Sequence, residues 1–397
     1  MNVVLINQFF PPAQAPTGIL LADLAAELVR RGHGVTVLAS AGGYGAETGA
    51  PVPEGARVVR IGPATRHRAD SASKLADYLS FYRGVRREFS GMARPDALVC
   101  MTTPPFIGLL GAHLRKRNGV PFVLWCMDLY PEALAAHGWL HPWNPLKPVL
   151  KALARAERSR ASTVVALGPD MAEMLSASGA RRVETLPVWS TLEISPAREA
   201  EARALRRARG WAAGDVVLLY SGNMGRAHRA EEFAALAEAL RGRSPRGRFV
   251  FSGGGPQRKE WERKWGGLFE FMPAVAGNSC AAHLLAADVH LVSQQPAWTG
   301  VVVPSKFPAA CALGKPVVFA GPPHSAVGRW LEEADAGWLL PPDDAAGLEK
   351  AAGAILDANL RVAKGANALR LFRQRFAPAA NCGKVADLIE QAAKERT

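Results

Sequence analysis

The feature that most constrains the fold is a regular alternation of short apolar runs with amphipathic helical patterns. In the first half of the chain, strand-like runs such as Asn2–Asn7, Gly34–Ser40 and Ala97–Met101 are separated by such helical patterns. Strands that alternate with helices of about 10–15 residues are typical of βαβ units. We therefore predict an α/β fold built on a parallel sheet.

A second alternating series follows a break in the pattern at residues 187–196, which has the composition of an interdomain linker. This series opens with a strand at Val216–Ser221, and the chain is predicted to be helical from Ala345 onward. The length of 397 residues also suggests two domains, at about 100–200 residues each. Two doubly wound parallel-sheet units joined by a linker predict a ligand-binding cleft.

The composition excludes several classes of protein. Apolar residues make up 49% of the chain, which is too many for a disordered protein. The five cysteines form no C-x-x-C pair, so neither a disulfide framework nor a cysteine zinc site is expected. The N-terminus has no basic leader, and no apolar stretch reaches about 20 residues without interruption, so neither a signal peptide nor a transmembrane helix is predicted. We therefore expect a cytoplasmic protein.

The net charge of +13 indicates anionic partners, namely phosphates, nucleic acid or an acidic membrane surface. No recognised nucleic-acid-binding motif accompanies the charge, so nucleic acid is not expected. There is no D-x-D and no H-E-x-x-H sequence, and His283 and His290 stand apart, so no metal and no cofactor are expected.

Two positions in the first half are candidates for ligand contacts. The loop that ends at Thr17 and Gly18 precedes the first helix, where free backbone N–H groups favour an anion or a sugar hydroxyl. The alternative is a proline-rich turn. Asp128 directly follows an apolar strand, and an acid there can accept a hydrogen bond from a hydroxyl or act as a base. The alternative is a helix cap or a salt bridge.

The second half contains two candidate anion-binding segments. Two glycines lie in the segment after strand Val216–Ser221, and Arg226 and Arg229 follow in positions to clamp a diphosphate. The alternative is a basic surface turn. Further along, Ser305 fits a helix N-cap, and Lys306 in the first turn opposes the helix dipole unless an anion binds there. The alternative is an ordinary cap beside a solvated lysine.

A basic and aromatic stretch from His67 to Phe89 has the composition of a membrane-surface helix. We predict that it contacts a membrane or acceptor through Tyr78, Phe81, Tyr82 and Arg86. The alternative is a helix that packs on the core and exposes a solvated basic face.

Seven motifs in fixed order resemble glycosyltransferase family 4, in particular the bacterial enzymes of capsule, O-antigen and colanic-acid assembly. They are the proline-rich loop after the first strand, Trp-Cys-Met-Asp-Leu-Tyr-Pro-Glu, Tyr-Ser-Gly-Asn-Met-Gly, Ser-Gly-Gly-Gly-Pro, Ala-Ala-Asp-Val, Pro-Ser-Lys and Ala-Leu-Gly-Lys-Pro-Val-Val. The resemblance covers nearly the whole chain.

The resemblance implies a GT-B fold, with two Rossmann-like domains facing a cleft. The N-terminal, acceptor-side domain would span residues 1–190, and the C-terminal helix at about 375–397 would pack back on it. The nucleotide-sugar-binding domain would span residues 197–374. It also implies retaining, metal-independent transfer of a sugar, with UDP as the default nucleotide. The acceptor would be a lipid-linked or membrane-proximal glycan, and the enzyme would lie on the inner face of the cell membrane.

Carried over residue by residue, the resemblance places Asp128 near the reacting sugar, where many relatives have a histidine. Arg226 and Lys306 join it as the catalytic set. The donor-binding set is Gly18, Asn223, Gly225, Arg229, Gly254, Met272, Pro273 and Ser305.

The chain departs from the family at one place. Many members carry a Glu-x7-Glu pair where this sequence has Val301 and Ala309, so the carboxylates that usually hold the ribose and sugar are missing. Two alternatives therefore stay open: transfer to a soluble small molecule, and a nucleotide-sugar-binding subunit without catalysis.

Overall fold

The computed structural model describes residues 1–13, 15–41, 51–62, 71–241, 243, 247–275, 277 and 279–395; of residues 71, 72 and 74 it describes the backbone alone. The chain divides into two compact units. Unit 1 comprises Met1–Pro187 together with Ala379–Thr397, and unit 2 comprises Val188–Pro378.

Unit 1 is built on a seven-stranded parallel sheet with the strand order β3-β2-β1-β4-β5-β6-β7. The strands are β1 (Asn2–Ile6), β2 (Gly34–Ser40), β3 (Ala56–Ile61), β4 (Ala97–Met101), β5 (Phe122–Trp125), β6 (Thr163–Ala166) and β7 (Val183–Thr185). Every residue of β4, β5 and β6 is buried, as expected for central strands covered by helices on both faces.

The helices of unit 1 are α1 (Pro16–Arg30), α2 (Ser71–Gly91), α3 (Gly108–Asn118), α4 (Glu132–Ala136), α5 (Leu146–Arg158), α6 (Pro169–Ala177) and the C-terminal α15 (Pro378–Lys394). Helix α15 is tied to the end of α1 by ion pairs from Arg31, at 2.6 Å to Asp387 and 3.1 Å to Glu390. The last helix of the chain is therefore part of the first unit.

Unit 2 is built on a six-stranded parallel sheet with the order β10-β9-β8-β11-β12-β13. The strands are β8 (Val216–Ser221), β9 (Gly247–Ser252), β10 (Phe269–Met272), β11 (Val289–Ser293), β12 (Val317–Ala320) and β13 (Gly337–Leu340). Stacked aromatic rings fill one face of this sheet: Phe251 lies 5.3 Å from Tyr220 and 4.3 Å from Phe269, centroid to centroid.

The α-helices of unit 2 are α7 (Pro196–Ala208), α8 (Glu231–Arg241), α9 (Arg258–Trp265), α10 (Ser279–Leu285), α11 (Lys306–Ala312), α12 (Ala326–Ala334), α13 (Ala345–Leu356) and α14 (Ala358–Leu371). A short 3₁₀ turn spans Pro296–Trp298, and a π-helical turn spans Phe372–Phe376. None of the helices in the described part of the chain is long and apolar enough to cross a bilayer.

The predicted α/β class with two parallel sheets is confirmed, and strands β2, β4 and β8 begin and end where the pattern placed them. Helix α7, helix α12 and strand β13 were not identified from the sequence. The apolar positions of α7 are mostly alanine among arginines and glutamates, so few large apolar side chains mark the helix in the sequence.

Candidate active site

Both sheets reverse their strand order beside the first strand of the unit. In unit 1, β1 lies between β2 and β4, and in unit 2, β8 lies between β9 and β11. In open parallel sheets, ligands bind at the carboxyl ends of the strands at such a reversal. The loops that follow β1, β4, β8 and β11 are therefore where a site is expected in each unit.

In unit 2, the loop after β8 approaches the loop after β9 at van der Waals distance. Gly222 has φ +127° and Gly253 has φ +138°, and a Cβ on Gly253 would lie 2.0 Å from the Gly222 carbonyl oxygen. The Gly222 N–H donates to the Ser252 carbonyl at 2.8 Å. Both positions need glycine, because the Gly222 carbonyl and the Lys306 stem occupy the space that their Cβ atoms would take.

Lys306 is the central cation of this edge. Its Nζ lies 3.1 Å from His228 Nε2 and 4.9 Å from the centre of the Tyr220 ring. A Cβ on Gly222 would lie 2.9 Å from Lys306 Cε, so the lysine stem crosses the β8 loop. Burial lowers the pKa of Lys306 to about 8, yet part of the residue stays accessible. No carboxylate partner was found for it within the described ranges.

His228 holds this lysine through a neutral imidazole. Its Nδ1 donates to the Ser293 carbonyl at 2.8 Å, which leaves Nε2 as an acceptor for Lys306. Burial first, and the Lys306 charge second, lower the pKa of His228 to about 3. Because Ser293 ends β11 and His228 follows β8, this chain of hydrogen bonds crosses the reversal of strand order. His228 is a functional candidate that the sequence analysis did not assign.

The two arginines of the β8 loop differ. Arg229 is engaged locally: its Nε lies 2.7 Å from Glu232 Oε2, and a second contact joins Nη2 to Glu232 Oε1. Arg226 is exposed, and across the described ranges its guanidinium has neither a carboxylate nor a hydrogen-bond partner. Of the two predicted clamp residues, only Arg226 has its charge available.

The remaining donor-side predictions occupy several parts of unit 2. Asn223 and Gly254 are exposed and adjacent, with the Gly254 carbonyl accepting from the Met224 N–H at 2.7 Å. Met272 is buried, and its carbonyl accepts from Arg258. The other three predicted residues lie near these: Gly225 in the β8 loop, Pro273 after β10, exposed, and Ser305 before α11.

Ser305 does not act as the predicted cap. It stands at the N-cap position of α11, but its φ of −66° and ψ of −12° are already helical and its hydroxyl accepts no backbone N–H. A side-chain cap requires an extended backbone at this position. Since α11 is also only seven residues long, the positive charge here comes from the Lys306 side chain rather than from the helix end.

In unit 1, Asp128 lies in the loop after β5, and the end of β4 holds that loop in place. The Thr102 hydroxyl accepts from the Met127 N–H at 2.8 Å and from the Asp128 N–H at 3.1 Å. Burial raises the pKa of the Asp128 carboxyl to about 6. The carboxyl therefore changes charge close to neutral pH, which suits a base or a hydrogen-bond acceptor.

Two tyrosines surround this carboxyl. Burial, followed by the Asp128 charge, raises the pKa of Tyr78 and of Tyr130 above the usual range. Tyr130 also lies 6.4 Å from Phe106, which has φ +62°. A bulky residue in the left-handed region is strained, and such residues concentrate at functional sites.

Gly18 has a structural reason for being glycine. Its N–H donates to the Ala15 carbonyl at 2.9 Å, so the predicted free N–H at this residue is wrong. A Cβ on Gly18 would lie 3.2 Å from backbone atoms of Phe9 and Phe10. The glycine allows the first turn of α1 to pack against the loop that follows β1.

The predicted membrane contacts on α2 are corrected in part. Phe81 is buried, and the Tyr82 hydroxyl donates to the Pro105 carbonyl, so both rings face unit 1. Tyr78 faces the Asp128 loop. Arg86 is exposed, as the alternative of a core-facing helix with a solvated basic face predicts. Residues 67–70 of the predicted stretch lie outside the described residues.

Among the residues that the structure describes, no group of three His, Cys, Asp or Glu side chains is arranged to hold a metal ion. The charged groups at the unit 2 edge are cations, which suit an anionic ligand.

Solved structures of glycosyltransferases have the same fold as this chain. WaaG, described as a glycosyltransferase involved in lipopolysaccharide biosynthesis, superposes with a TM-score of 0.69 at 18% identity, covering 98% of this chain and 99% of that one. HepE from Anabaena, solved in complex with UDP-glucose, gives a TM-score of 0.71 at 18% identity over 98% and 100% of the two chains. The chain has the GT-B fold of glycosyltransferases.

Family models match both units. The glycosyl transferase 4-like domain matches residues 18–189, and the glycosyl transferases group 1 domain matches residues 215–358. The chain therefore belongs to the GT-B glycosyltransferases that combine these two domains, and it is a transferase. The family resemblance stated from the motifs is confirmed.

Two curated bacterial glycosyltransferases are similar to the chain over part of its length. It is 25% identical over 277 residues to the probable glycosyltransferase WbjE of Pseudomonas aeruginosa, covering 67% of this chain and 68% of that protein. It is 26% identical over 246 residues to the putative colanic acid biosynthesis glycosyl transferase WcaI of Escherichia coli K12, covering 60% of each. The match thus spans less than two thirds of the length of WcaI.

Proposed function

We propose that this glycosyltransferase moves a sugar from a UDP-sugar to a lipid-linked glycan in the assembly of a surface polysaccharide, with retention of configuration and without a metal ion. The observation that carries the proposal is the Lys306 ammonium at the carboxyl edge of the unit 2 sheet, on a residue that is half-buried. It stands beside the glycine-rich β8 loop and lacks a carboxylate partner among the described residues.

The roles follow from the charge that develops in the reaction. Breaking the anomeric bond leaves positive charge on the sugar and negative charge on the departing diphosphate. Fixed cations in a partly buried position stabilise that negative charge without reorganising during the step. Lys306, oriented by His228, and Arg226 take this role in unit 2.

The acceptor-side role belongs to Asp128 in unit 1. With retention, the incoming hydroxyl attacks from the face that the diphosphate leaves, so an oxygen of the leaving group takes the hydroxyl proton. The Asp128 carboxylate accepts a hydrogen bond from that or a neighbouring hydroxyl and orients it. Thr102 keeps the carboxylate loop in position through two backbone N–H groups.

Two comparisons support the finer parts of the proposal. HepE was solved with UDP-glucose, which supports a uridine nucleotide for a chain of the same fold. WaaG is described as acting in lipopolysaccharide biosynthesis, which supports an acceptor carried on a lipid. The missing glutamates at Val301 and Ala309 mean that the sugar is held by other groups.

The test is a thermal-shift panel of UDP-, GDP- and dTDP-sugars, followed by transfer of the stabilising donor to lipid-linked acceptors. A ligand present at 100 times its Kd stabilises the folded state by about 2.7 kcal/mol, which gives a clear upward shift of the melting temperature. We expect the UDP-sugars to give the shift. No shift with any UDP-sugar contradicts the nucleotide assignment.

Analysis of the product separates the other parts. The anomeric configuration of the transferred sugar tests retention, and full activity in EDTA tests independence from a metal. Transfer only to soluble small molecules contradicts the lipid-linked acceptor. Donor binding with neither transfer nor hydrolysis contradicts catalysis and leaves a binding subunit.

A further inference from the structure

The connection from α4 to α5 and the first turns of α5 carry large apolar side chains that the described part of the chain leaves uncovered. Trp143 is 95% exposed, Trp139 62%, Leu146 60% and Val149 54%. All four lie within eleven consecutive residues. Single exposed apolar residues are ordinary, but a contiguous set of this size marks an interaction surface.

The backbone holds these side chains outward. Leu140 is buried and anchors the loop, while its N–H and that of Trp139 both donate to the Leu134 carbonyl. The Trp139 ring stacks on His137 at 4.4 Å between centroids. Asn144 accepts from the Leu146 N–H at 2.9 Å through its side chain. The tryptophans are therefore exposed by a turn whose conformation is fixed by hydrogen bonds.

Helix α5 continues the surface. Its apolar stripe runs through Leu146, Val149, Leu150 and Leu153, at the spacing that normally faces a core. The later part of the helix is covered, since Ala154 is buried, but the first turns are open. Half of an amphipathic stripe is thus left without cover in the described part of the protein.

The charged residues within the patch's own segment have one sign, and Glu132, which lies close enough to Lys151 to interact with it, is paired with Arg158. From residue 133 to residue 156 the sequence contains no Asp or Glu, while it contains Lys147, Lys151 and Arg155. The side chains of Lys151 and Arg155 are exposed, and Lys147 is half-exposed. Tryptophan, leucine and lysine on one face suit the boundary between the acyl chains and the anionic headgroups of a bilayer.

We propose that the surface formed by Trp139, Trp143, Leu146, Val149, Lys147 and Lys151, here called the Trp-Lys patch, docks this enzyme on an anionic lipid bilayer. The patch replaces the α2 aromatics as the membrane contact. The proposal rests on the proposed function in one respect: a lipid-linked acceptor has to be reached at a membrane surface.

The patch adds to the binding free energy in two ways. Apolar side chains gain by leaving water for the interface, and each lysine near an anionic surface strengthens binding about fivefold. Since the screening length shortens with ionic strength, binding through the lysines weakens in high salt.

The experiment is co-sedimentation of the full chain with vesicles of phosphatidylcholine containing 30% phosphatidylglycerol. The double variant Trp143→Ser/Leu146→Ser is expected to reduce vesicle binding at least tenfold. Its matched control is Leu360→Ser/Val362→Ser, which removes two exposed apolar side chains from α14 in unit 2 and is expected to bind as the wild type does. Since all four side chains are exposed, melting temperatures should stay the same.

A second pair of measurements tests the charge and the insertion. Lys147→Gln/Lys151→Gln should weaken binding to the anionic vesicles about 25-fold and leave pure phosphatidylcholine binding unchanged. Vesicles with brominated lipids should quench tryptophan fluorescence in the wild type, and Trp139→Phe/Trp143→Phe should remove most of that quenching.

Four results would overturn the proposal. They are no vesicle binding by the wild type, equal loss of binding in the patch and control variants, binding indifferent to lipid charge, and self-association that the patch variant abolishes while lipid has no effect. The last would assign the patch to a second copy of the chain. Sugar transfer to a water-soluble acceptor should be unchanged in the patch variant. If the wild type binds vesicles but transfers no sugar, the proposed function is contradicted and the membrane-docking proposal is not.

Discussion

The two sheets of this protein share one topology and carry opposite chemistry at their carboxyl edges. In unit 2 the reversal of strand order is lined by Lys306 and Arg226, with a neutral His228 beneath the lysine. In unit 1 the corresponding edge holds Asp128 between two tyrosines. The comparison teaches that one type of sheet can present either charge at its carboxyl edge, because the loop residues decide which charge stands there.

Burial acts on the two edges in opposite directions. It raises the pKa of the Asp128 carboxyl to about 6 and lowers the pKa of the Lys306 ammonium to about 8. Both groups are charged between these two values. Since the proposed roles need both charges, we expect sugar transfer to be fastest in this window around neutral pH.

The largest effect is expected from removing the unit 2 cation. Lys306→Ala should lower kcat/KM for the donor about 10²–10³-fold, because the departing diphosphate loses its buried counter-charge. Arg226→Ala should act in the same direction. Steady-state kinetics with the donor varied measures this, and Lys364→Ala, which removes a lysine paired with Asp335, is the control. Full turnover and donor affinity in both variants would show that the diphosphate assignment is wrong.

The matching change in unit 1 should be smaller and of another kind. Asp128→Asn keeps the shape and removes the charge, and we expect a loss of about 10²-fold in kcat with the Kd of the donor unchanged. Isothermal titration with the donor, alongside kinetics, separates the two effects. A higher Kd of the donor in this variant would contradict the assignment of donor binding to unit 2 alone.

The pH dependence sharpens the comparison. Lys306 is protonated below about pH 8 and loses its charge as the pH rises through that value, so donor binding should weaken about tenfold between pH 7 and pH 9. Lys306→Arg keeps its charge over this range and should abolish the trend. Titrations of donor binding at each pH test this. A trend that persists in the arginine variant would assign it to another group.

The pH dependence below neutral pH is expected to come from Asp128 in unit 1. The Asp128 carboxyl becomes protonated as the pH falls through about 6, so turnover should fall about tenfold per pH unit below that value. Asp128→Asn has no such titration, and its residual activity should be flat between pH 5 and pH 7. If turnover fell below pH 6 in the wild type and in Asp128→Asn alike, a group other than Asp128 would be responsible.

Substitution of His228 is expected to affect donor binding less than removal of Lys306. His228→Leu removes the acceptor that orients Lys306 and should weaken donor binding about tenfold, the value of a hydrogen bond to a charged group. His228→Gln retains an acceptor and should recover part of the loss. Equal effects of the two substitutions would mean that packing, not the hydrogen bond, is what His228 supplies.

The smallest effect on donor binding is expected at Arg229. Its guanidinium is already paired with Glu232, a buried carboxylate, so Arg229→Ala should change the Kd of the donor less than twofold. The same substitution leaves Glu232 buried and unpaired, which should lower the free energy of unfolding by about 1–3 kcal/mol. Denaturant unfolding and donor titration measure the two quantities. A tenfold loss of donor affinity without a loss of stability would show that Arg229 binds the diphosphate, as the sequence predicted.

Much of the fold could be predicted because strand and helix periods are local properties of the sequence. The β4 run Ala97–Met101 is buried along its whole length and reads as a strand without any tertiary information. Helix α7, by contrast, buries Ala202 alone of its thirteen residues, and most of its apolar positions are alanines, so it was not identified. Its boundary depended on the Ser195 cap, whose hydroxyl accepts from the Arg198 N–H.

The site was predictable to the level of segments. The β8 loop and the Lys306 segment were both predicted to bind an anion, and the structure places them against each other. The division between Arg226 and Arg229 was not accessible, because it depends on which of them reaches Glu232 in three dimensions. The direction of the α2 aromatics was likewise undetermined, since an amphipathic helix with aromatic and basic residues fits a core and a membrane equally well.

The amino-acid sequence by itself determined the α/β class, the two units, and the motifs that identify a glycosyltransferase, since these depend on periodicity and on residues close together in the chain. The tertiary structure alone decided that His228 stands between Lys306 and the end of β11, and that Trp143 stays outside while Phe81 is buried. Those facts depend on which elements pack together, and packing joins residues that the sequence separates.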